Sequence, residues 1–259
     1  MFNAFSILVG LGATLGLAWV AWRTQRLERM PQRQVDYRIT AGLFSLFGAI
    51  IGARAAYVGA NWGYFQTHVD EAAQVWLGGL SWIGAVIAAI LAIIGYAAVA
   101  QISLGALADA LLPLGLMVTL GSWLGCMEAG CAYGAPTLPG QWWGLPTWDD
   151  WGQVIPRFPL QLLGALTSLL VFMAIEWLRP RLPHPGQAAS LALLIFSAQM
   201  TGLSFLRADP VPLWRNQRLD SWAGIFLLAL SLLVCLVAFL PGLRRQPEPE
   251  RMSQRADSV

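Results

Sequence analysis

The chain has 259 residues, of which 57% are apolar and 12% charged, with a formal net charge of +2. A charged share roughly half that of soluble domains excludes an ordinary water-soluble globule, and so small a net charge gives no basis for a nucleic-acid surface. All sixteen Lys and Arg positions are arginine, so the placement of those arginines carries the topology.

In chain order the apolar residues fall into seven blocks: 2–22, 39–60, 77–100, 104–124, 158–178, 187–206 and 221–240. Each has the roughly 20 residues that a helix needs to cross about 30 Å of hydrocarbon. The expected fold is an all-α, polytopic integral membrane protein with about seven transmembrane helices. Residues 1–245 form one transmembrane domain, and residues 246–259, rich in Pro, Glu, Ser and Arg, form a disordered tail. The first block is long enough to span and no small-residue cleavage site precedes the arginines, so it reads as a span and not a cleaved leader.

Arg23, Arg26, Arg29, Arg33 and Arg38 fill the first connection, Arg179 and Arg181 the fifth, and Arg244, Arg245, Arg251 and Arg255 the tail. With seven spans these lie on one side, which the positive-inside rule makes cytoplasmic, leaving the N-terminus outside. The other side holds segments 61–76, 133–157 and 207–220. They carry Trp142, Trp143, Trp148, Trp151 and Trp214, as an interfacial belt requires. Segment 133–157 is longer than a connector needs and is expected to cover part of a cavity.

Ionisable and polar groups near the spans are the next signal, because they are costly in lipid. Arg54 and Tyr57 lie near the outer end of the second block. Arg54 reads either as a holder of an anionic headgroup or as an arginine snorkelling to the interface. Gly78, Gly79 and Ser81 open the third block. The glycines would leave backbone N–H groups unpaired, an anion site at a helix N-terminus. Asp109 reads as a first-turn acid of the fourth block, Glu176 as the partner of Arg179. Gln161 needs a hydrogen-bond partner, from another helix or from a ligand. Arg207, followed by Asp209 and Pro210, ends the sixth block on the side of Arg54, and two guanidiniums there suit a phosphate.

Residues 121–137 (GSWLGCMEAGCAYGAPT) are the most informative stretch. They run from an apolar helix pattern into a Gly/Pro-rich loop, with Cys126 and Cys131 beside Glu128 and Tyr133. Gly125, Gly130 and Gly134 each weaken a helix, which points to close approach of backbone to backbone or to a ligand. On a continuous helix the two cysteines point about 140° apart, so a disulfide needs the helix to break at Gly130. Cys235 reads as a packed small hydrophobe. His68 and His184 are far from the cysteines and from each other, so no metal site is expected, and no cofactor.

Taken in order, these segments resemble the prolipoprotein diacylglyceryl transferase family from about residue 37 to 224. The matching residues are Gly52-Ala53-Arg54 with Tyr57, Gly78 to Ser81, and Gly130, Tyr133, Gly134, Pro136 and Thr137. Trp143-Gly144, Pro159 with Gln161-Leu162, Pro185-Gly186-Gln187, and Phe205 with Arg207 complete the set. The resemblance implies transfer of a diacylglyceryl group from phosphatidylglycerol to a cysteine thiol of a preprolipoprotein, in the bacterial cytoplasmic (inner) membrane. It carries departures too. Ile83 stands where the family has His, Trp123 and Cys126 where it has Arg and Asn, and Ala129 and Cys131 where it has Asn and Glu. Leu163-Gly164 replaces Tyr-Glu, and Ser204 another Glu. A cysteine-bearing branch of the family is the nearer likeness.

Three functions stay open on these residues. The first is diacylglyceryl transfer, with Arg207 and Arg54 holding phosphate and Tyr133 or Glu128 assisting the thiol proton; Tyr57, Gly78, Gly79, Ser81, Gly134 and Gln161 would then line the substrate. The second is a lipid-directed transferase with Cys126 or Cys131 as nucleophile. The third is a lipid-binding membrane subunit without turnover.

Overall fold

The computed structural model describes residues 4–138, 140–149 and 151–240. The expected tail, 246–259, lies outside them. All seven apolar blocks are helical. They correspond to α1 (Ala4–Trp22), α2 (Gln32–Ala60), α4 (Trp82–Ala100), α5 (Leu104–Ala129), α6 (Leu160–Leu178), α7 (Gln187–Ser204) and α8 (Leu219–Phe239), with a short α3 (Trp62–Phe65) after α2. Six of them, all but α7 and the short α3, are long and apolar enough to cross a membrane.

Helix α7 differs because protein surrounds it. Nine of its eighteen residues are buried, among them Gln187, Ser190, Ser197, Thr201 and Ser204. It packs on α5, α6 and α8, so lipid does not dictate its composition. The polar groups are satisfied within the bundle: Ser204 Oγ donates to Ser221 Oγ at 2.9 Å, and Gln199 Nε2 donates to Thr167 Oγ1 at 2.7 Å.

Several boundaries move from the expected ones for local reasons. The first connection is much shorter than the apolar pattern implies. A π-helical turn, Arg23–Leu27, extends α1, and α2 begins at Gln32, directly after Pro31. Arg33 and Arg38 therefore sit on α2 and not in a loop. At the third block, Gly78 and Gly79 adopt φ of +86° and +68°, so the helix begins only at Trp82. Helix α5 continues past Leu124 to Ala129, where Gly130 (φ +69°) caps it in the left-handed region.

Helix α5 is the hub, packed on α1, α2, α4, α6 and α7. Its pairing with α1 depends on backbone contact, since a Cβ at Gly121 would lie 2.5 Å from Leu8 O. The α2–α4 pair uses the same device at Gly52, whose Cβ would meet Ala88 Cβ at 2.2 Å. Small residues that let backbones touch are the main source of helix association where lipid removes the hydrophobic drive.

The all-helical expectation holds for the bundle and needs one addition. Segment 133–157 folds back as an antiparallel pair, β1 (Leu145–Trp148) and β2 (Val154–Arg157), and a smaller pair, β3 (Leu213–Trp214) and β4 (Gln217–Arg218), precedes α8. Trp142 and Trp151 on the first excursion are 87% and 71% exposed, placing indoles outward, as the belt argument expects.

Candidate functional site

The site gathers where α5 ends. Beyond Gly130 the chain runs between two partners. Ala208 N donates to Tyr133 O at 2.8 Å and Phe158 N to Ala135 O at 2.9 Å, while Thr137 N donates to Pro156 O at 3.0 Å. Gly134 is bridged to Arg207 and Pro136 to Arg157. Segment 133–137 is thus the centre of an irregular three-stranded array. It brings Tyr133, Gly134, Arg157 and Arg207 together from three distant parts of the chain. Gly134 is required there: a Cβ would lie 2.5 Å from Phe158 O.

Cys126 and Cys131 form a disulfide. The helix break at Gly130 that this pairing needs is present, and Cys131 N donates to Cys126 O at 3.1 Å. Neither sulfur is a thiolate in this state, so a nucleophilic role for either requires prior reduction. Gly130 also allows backbone contact, with Asp149 O 2.9 Å from where its Cβ would be. Gln161, 2% exposed, finds its partner inside the protein: its Nε2 donates to Cys131 O at 3.0 Å. Glu128 lies on the exposed side of the last turn of α5.

Tyr133 is 1% exposed, with the Arg157 guanidinium 4.3 Å from its ring centroid. Arg157 is itself buried and pairs with Asp149 at 2.9 Å. Asp149 Oδ1 accepts from Trp151 N and Gln153 N at 3.0 and 2.8 Å, closing the turn between β1 and β2. Burial alone would raise the Asp149 carboxyl, but the two backbone N–H groups and Arg157 outweigh it and hold its pKa below the ordinary value. The sequence reading missed Arg157 and Asp149. The only signal was the Asp followed by Trp and Gly, an Asx-turn composition.

Arg207 is held between two carboxylates: Nε donates to Asp209 Oδ1 at 2.9 Å, a second bond reaches Asp209 Oδ2, and Nη1 lies 3.3 Å from Asp220 Oδ2. Arg218 completes the square, pairing with Asp209 at 3.2 Å and with Asp220 at 3.1 Å. Arg218 and Asp220, like Arg157, carried no sequence signal of their own.

Arg54 and the third-block glycines form a separate unit. Arg54 is 6% exposed. Its Nε donates to Ala72 O (2.8 Å), Nη1 to Gly78 O (2.6 Å) and Gly79 O (3.2 Å), and Nη2 to Glu71 O (2.6 Å). The guanidinium staples segment 71–79 onto α2, and a headgroup reaching it has to displace these carbonyls. What the glycine pair supplies is therefore carbonyls for Arg54. Of the N–H groups around the pair, Gly78 N bonds Val75 O (3.3 Å) and Ser81 N bonds Ala53 O (3.0 Å), and the Ser81 side chain does not cap α4. The Tyr57 ring packs against Gly79, where a Cβ would lie 2.4 Å from Cε1.

Asp109 has moved roles as well. It is the sixth residue of α5, beyond the first turn, and caps α7 instead: Oδ2 accepts from Gly186 N and Oδ1 from Ala189 N, both at 2.7 Å.

Some of the departures noted in the sequence meet one another, and one meets a further serine. Trp123 packs over Gly164, where a Cβ would lie 2.3 Å from the indole. Cys126 is bonded to Cys131, and Ser204 to Ser221.

Comparison with known proteins places this architecture. Residues 1–239 match the family model described as prolipoprotein diacylglyceryl transferase. A phosphatidylglycerol–prolipoprotein diacylglyceryl transferase of Thermosynechococcus vestitus is 31% identical over 218 residues, covering 81% of this chain and 78% of the relative. One from Bacillus licheniformis is 29% identical over 245 residues, covering 91% and 86%. A third, from Bordetella avium, is 30% identical over 193 residues, covering 70% and 69%.

Proposed function

Because the chain belongs to the prolipoprotein diacylglyceryl transferase family, we propose that it transfers a diacylglyceryl group from phosphatidylglycerol to a cysteine thiol of a lipoprotein precursor. The supporting observation is the bridge between Gly134 and Arg207. It joins two of the motif segments on which the resemblance rests, at the end of α5.

The reaction is a displacement. The acceptor sulfur attacks the glycerol carbon bearing the phosphoester, a C–S bond forms as the C–O bond breaks, and glycerol phosphate leaves with the electron pair. The protein must therefore take a proton from the thiol and stabilise charge on the departing phosphate. Arg207 is the cation for that phosphate, exchanging one carboxylate contact for the ligand. Tyr133 and Glu128 are the proton acceptors available on the segment beside it.

In the membrane we infer a seven-span arrangement, with α7 as the seventh span enclosed by its neighbours. The arginines of the first and fifth connections lie on the cytoplasmic side of a bacterial inner membrane, so the disulfide and the Trp-bearing hairpin face outward.

A second reading, a lipid-binding protein without turnover, is favoured by the paired departures. Where the resemblance implies Arg, Asn and Glu, this chain has the Trp123–Gly164 packing, the Cys126–Cys131 disulfide and the Ser204–Ser221 hydrogen bond. Loss of one electrostatic donor typically costs about 10²–10³ in rate.

Purified protein in phosphatidylglycerol nanodiscs with a synthetic lipobox peptide decides between them. A diacylglyceryl mass on the peptide, absent with heat-killed protein, supports transfer. Retained phospholipid with unmodified peptide supports the second reading, and a glyceryl or acyl mass on Cys126 or Cys131 points to a cysteine nucleophile.

A further inference from the structure

At the opposite end of α5 lies a polar cleft that the transfer reaction does not use. Its volume is about 360 Å³, within the range of ligand sites. Glu28, Arg38, Asp109, Arg179 and His184 line it, with the 182–185 turn as one wall. Asp109 and Cys126 sit seventeen residues apart on one helix, so the cleft is roughly 25 Å from the disulfide. It belongs to the other membrane face.

The hydrogen-bond inventory of this cleft is one-sided. Each carboxylate oxygen of its lining already accepts a bond. Both Asp109 oxygens take backbone N–H groups of the α7 N-terminus, at 2.7 Å each. Glu28 Oε1 takes Arg23 Nε at 3.2 Å and Oε2 takes Arg38 Nη1 at 2.5 Å. Behind them Glu176 is shared between Arg23 and Arg179. Donors remain. Among the described residues, Arg38 bonds only through Nη1, to Glu28 and Thr24, leaving Nε and Nη2 uncommitted. Arg179 uses Nη1 and Nη2 but not Nε. The exposed imidazole of His184 makes no bond.

Both guanidiniums are also held in place. Their side chains are 13% and 11% exposed, fixed from behind by Glu28 and Glu176. An oxyanion with several acceptor oxygens is the ligand that such preorganised donors, lining one cleft, lack. The lining itself balances in formal charge, two arginines against two carboxylates. Directed hydrogen bonds, and not a net field, then provide the affinity.

We propose that this cleft binds the phosphoryl group of a glycerol phosphate ester, drawn either from a lipid headgroup of that leaflet or from a free glycerol phosphate. It is a second anion site, independent of the outer one. The proposal requires a membrane-embedded chain and does not depend on the transferase reading.

Hydrogen exchange resolves this face from the other. Protein in nanodiscs of phosphatidylglycerol is compared with protein in a phosphate-free maltoside detergent, alone and with soluble glycerol 3-phosphate. The expected result is several-fold slower exchange at amides 182–187 with phosphatidylglycerol, lost in Arg38→Gln and weakened in His184→Ala. The His184 side chain is exposed, so that variant tests the site without the lost packing that Arg38→Gln carries. Protection by glycerol 3-phosphate alone supports the same chemistry and identifies the soluble source. Equal exchange in all three conditions, or protection unchanged in both variants, overturns the proposal.

Discussion

The indole of Trp123 occupies the space that any side chain at Gly164 would need: a Cβ there would lie 2.3 Å from Cδ2 and 2.4 Å from Cε2 of the ring. The resemblance implies arginine at the first position and glutamate at the second. Here a large residue and an absent one fill the same volume. The replacement is a coupled one, and it turns two charged positions into one buried contact, with Trp123 5% exposed.

Gly164→Ala therefore overpacks this contact and destabilises the protein by about 1–3 kcal/mol. Trp123→Arg and Gly164→Glu each bury a charge without its partner, while the double variant restores a pair. Thermal unfolding in detergent measures the coupling, expected at about 0.5–3 kcal/mol. Strict additivity of the two single changes would show that they do not share a site. Transfer to a lipobox peptide, measured on the double variant, then reports whether the re-installed charges raise activity.

Arg54 predicts a different phenotype from a headgroup ligand. Removing it as Arg54→Ala leaves the Ala72, Gly78, Gly79 and Glu71 carbonyls without their donor. The cost is about 2–4 kcal/mol, and residues 66–80 become sensitive to protease. Arg54→Lys does not restore resistance, because a point ammonium cannot reach carbonyls spread around a planar fork. A variant with unaltered protease resistance and a weaker apparent affinity for phosphatidylglycerol would move Arg54 into the substrate site.

The Asp149–Arg157 pair makes the β1–β2 hairpin sensitive to acid. The Asp149 carboxyl is held below its ordinary value of 3.8 in the folded protein. Its contribution is therefore complete above the unfolded pKa and is lost as pH falls through the folded one. Fluorescence of Trp148 and Trp151, which flank the turn, should hold steady from pH 7 to about 4.5 and change below about 4. Asp149→Asn should show the acid-like signal at neutral pH and lose the transition.

How much of this was visible in the sequence follows from the kind of signal each feature leaves. The helices were legible because lipid demands long apolar runs, and the site's location because Gly130, Tyr133 and Gly134 interrupt one. The role of Arg54 was not, since its partners are backbone carbonyls that have no sequence signature. Asp109 was misread for the same reason: its partners are amides of α7, far along the chain. The hairpin of β1 and β2 was hidden by its two prolines, Pro146 and Pro156, which face each other across the pair and break the strand pattern. The pairing of Trp123 with Gly164 needed coordinates, because a small residue opposite a large one is visible only when both are in place.

The disulfide separates structural support from catalysis. Cys126 and Cys131 close a very short loop, for which the chain-entropy model gives about 2 kcal/mol. Changing both to Ser should lower stability by about that amount and leave the Gly134–Arg207 bridge intact, since the bonds to the Tyr133 and Ala135 carbonyls and from the Gln161 side chain to Cys131 O do not involve sulfur. Alkylation mass spectrometry on the unreduced protein should modify Cys235 at most, and all three cysteines after reduction. Transfer that survives the double Ser variant at a similar rate assigns the disulfide to holding the loop. Transfer abolished in that variant, with folding and lipid retention unchanged, assigns one sulfur to the chemistry, and reductant dependence of the wild type then shows which redox state is the active one.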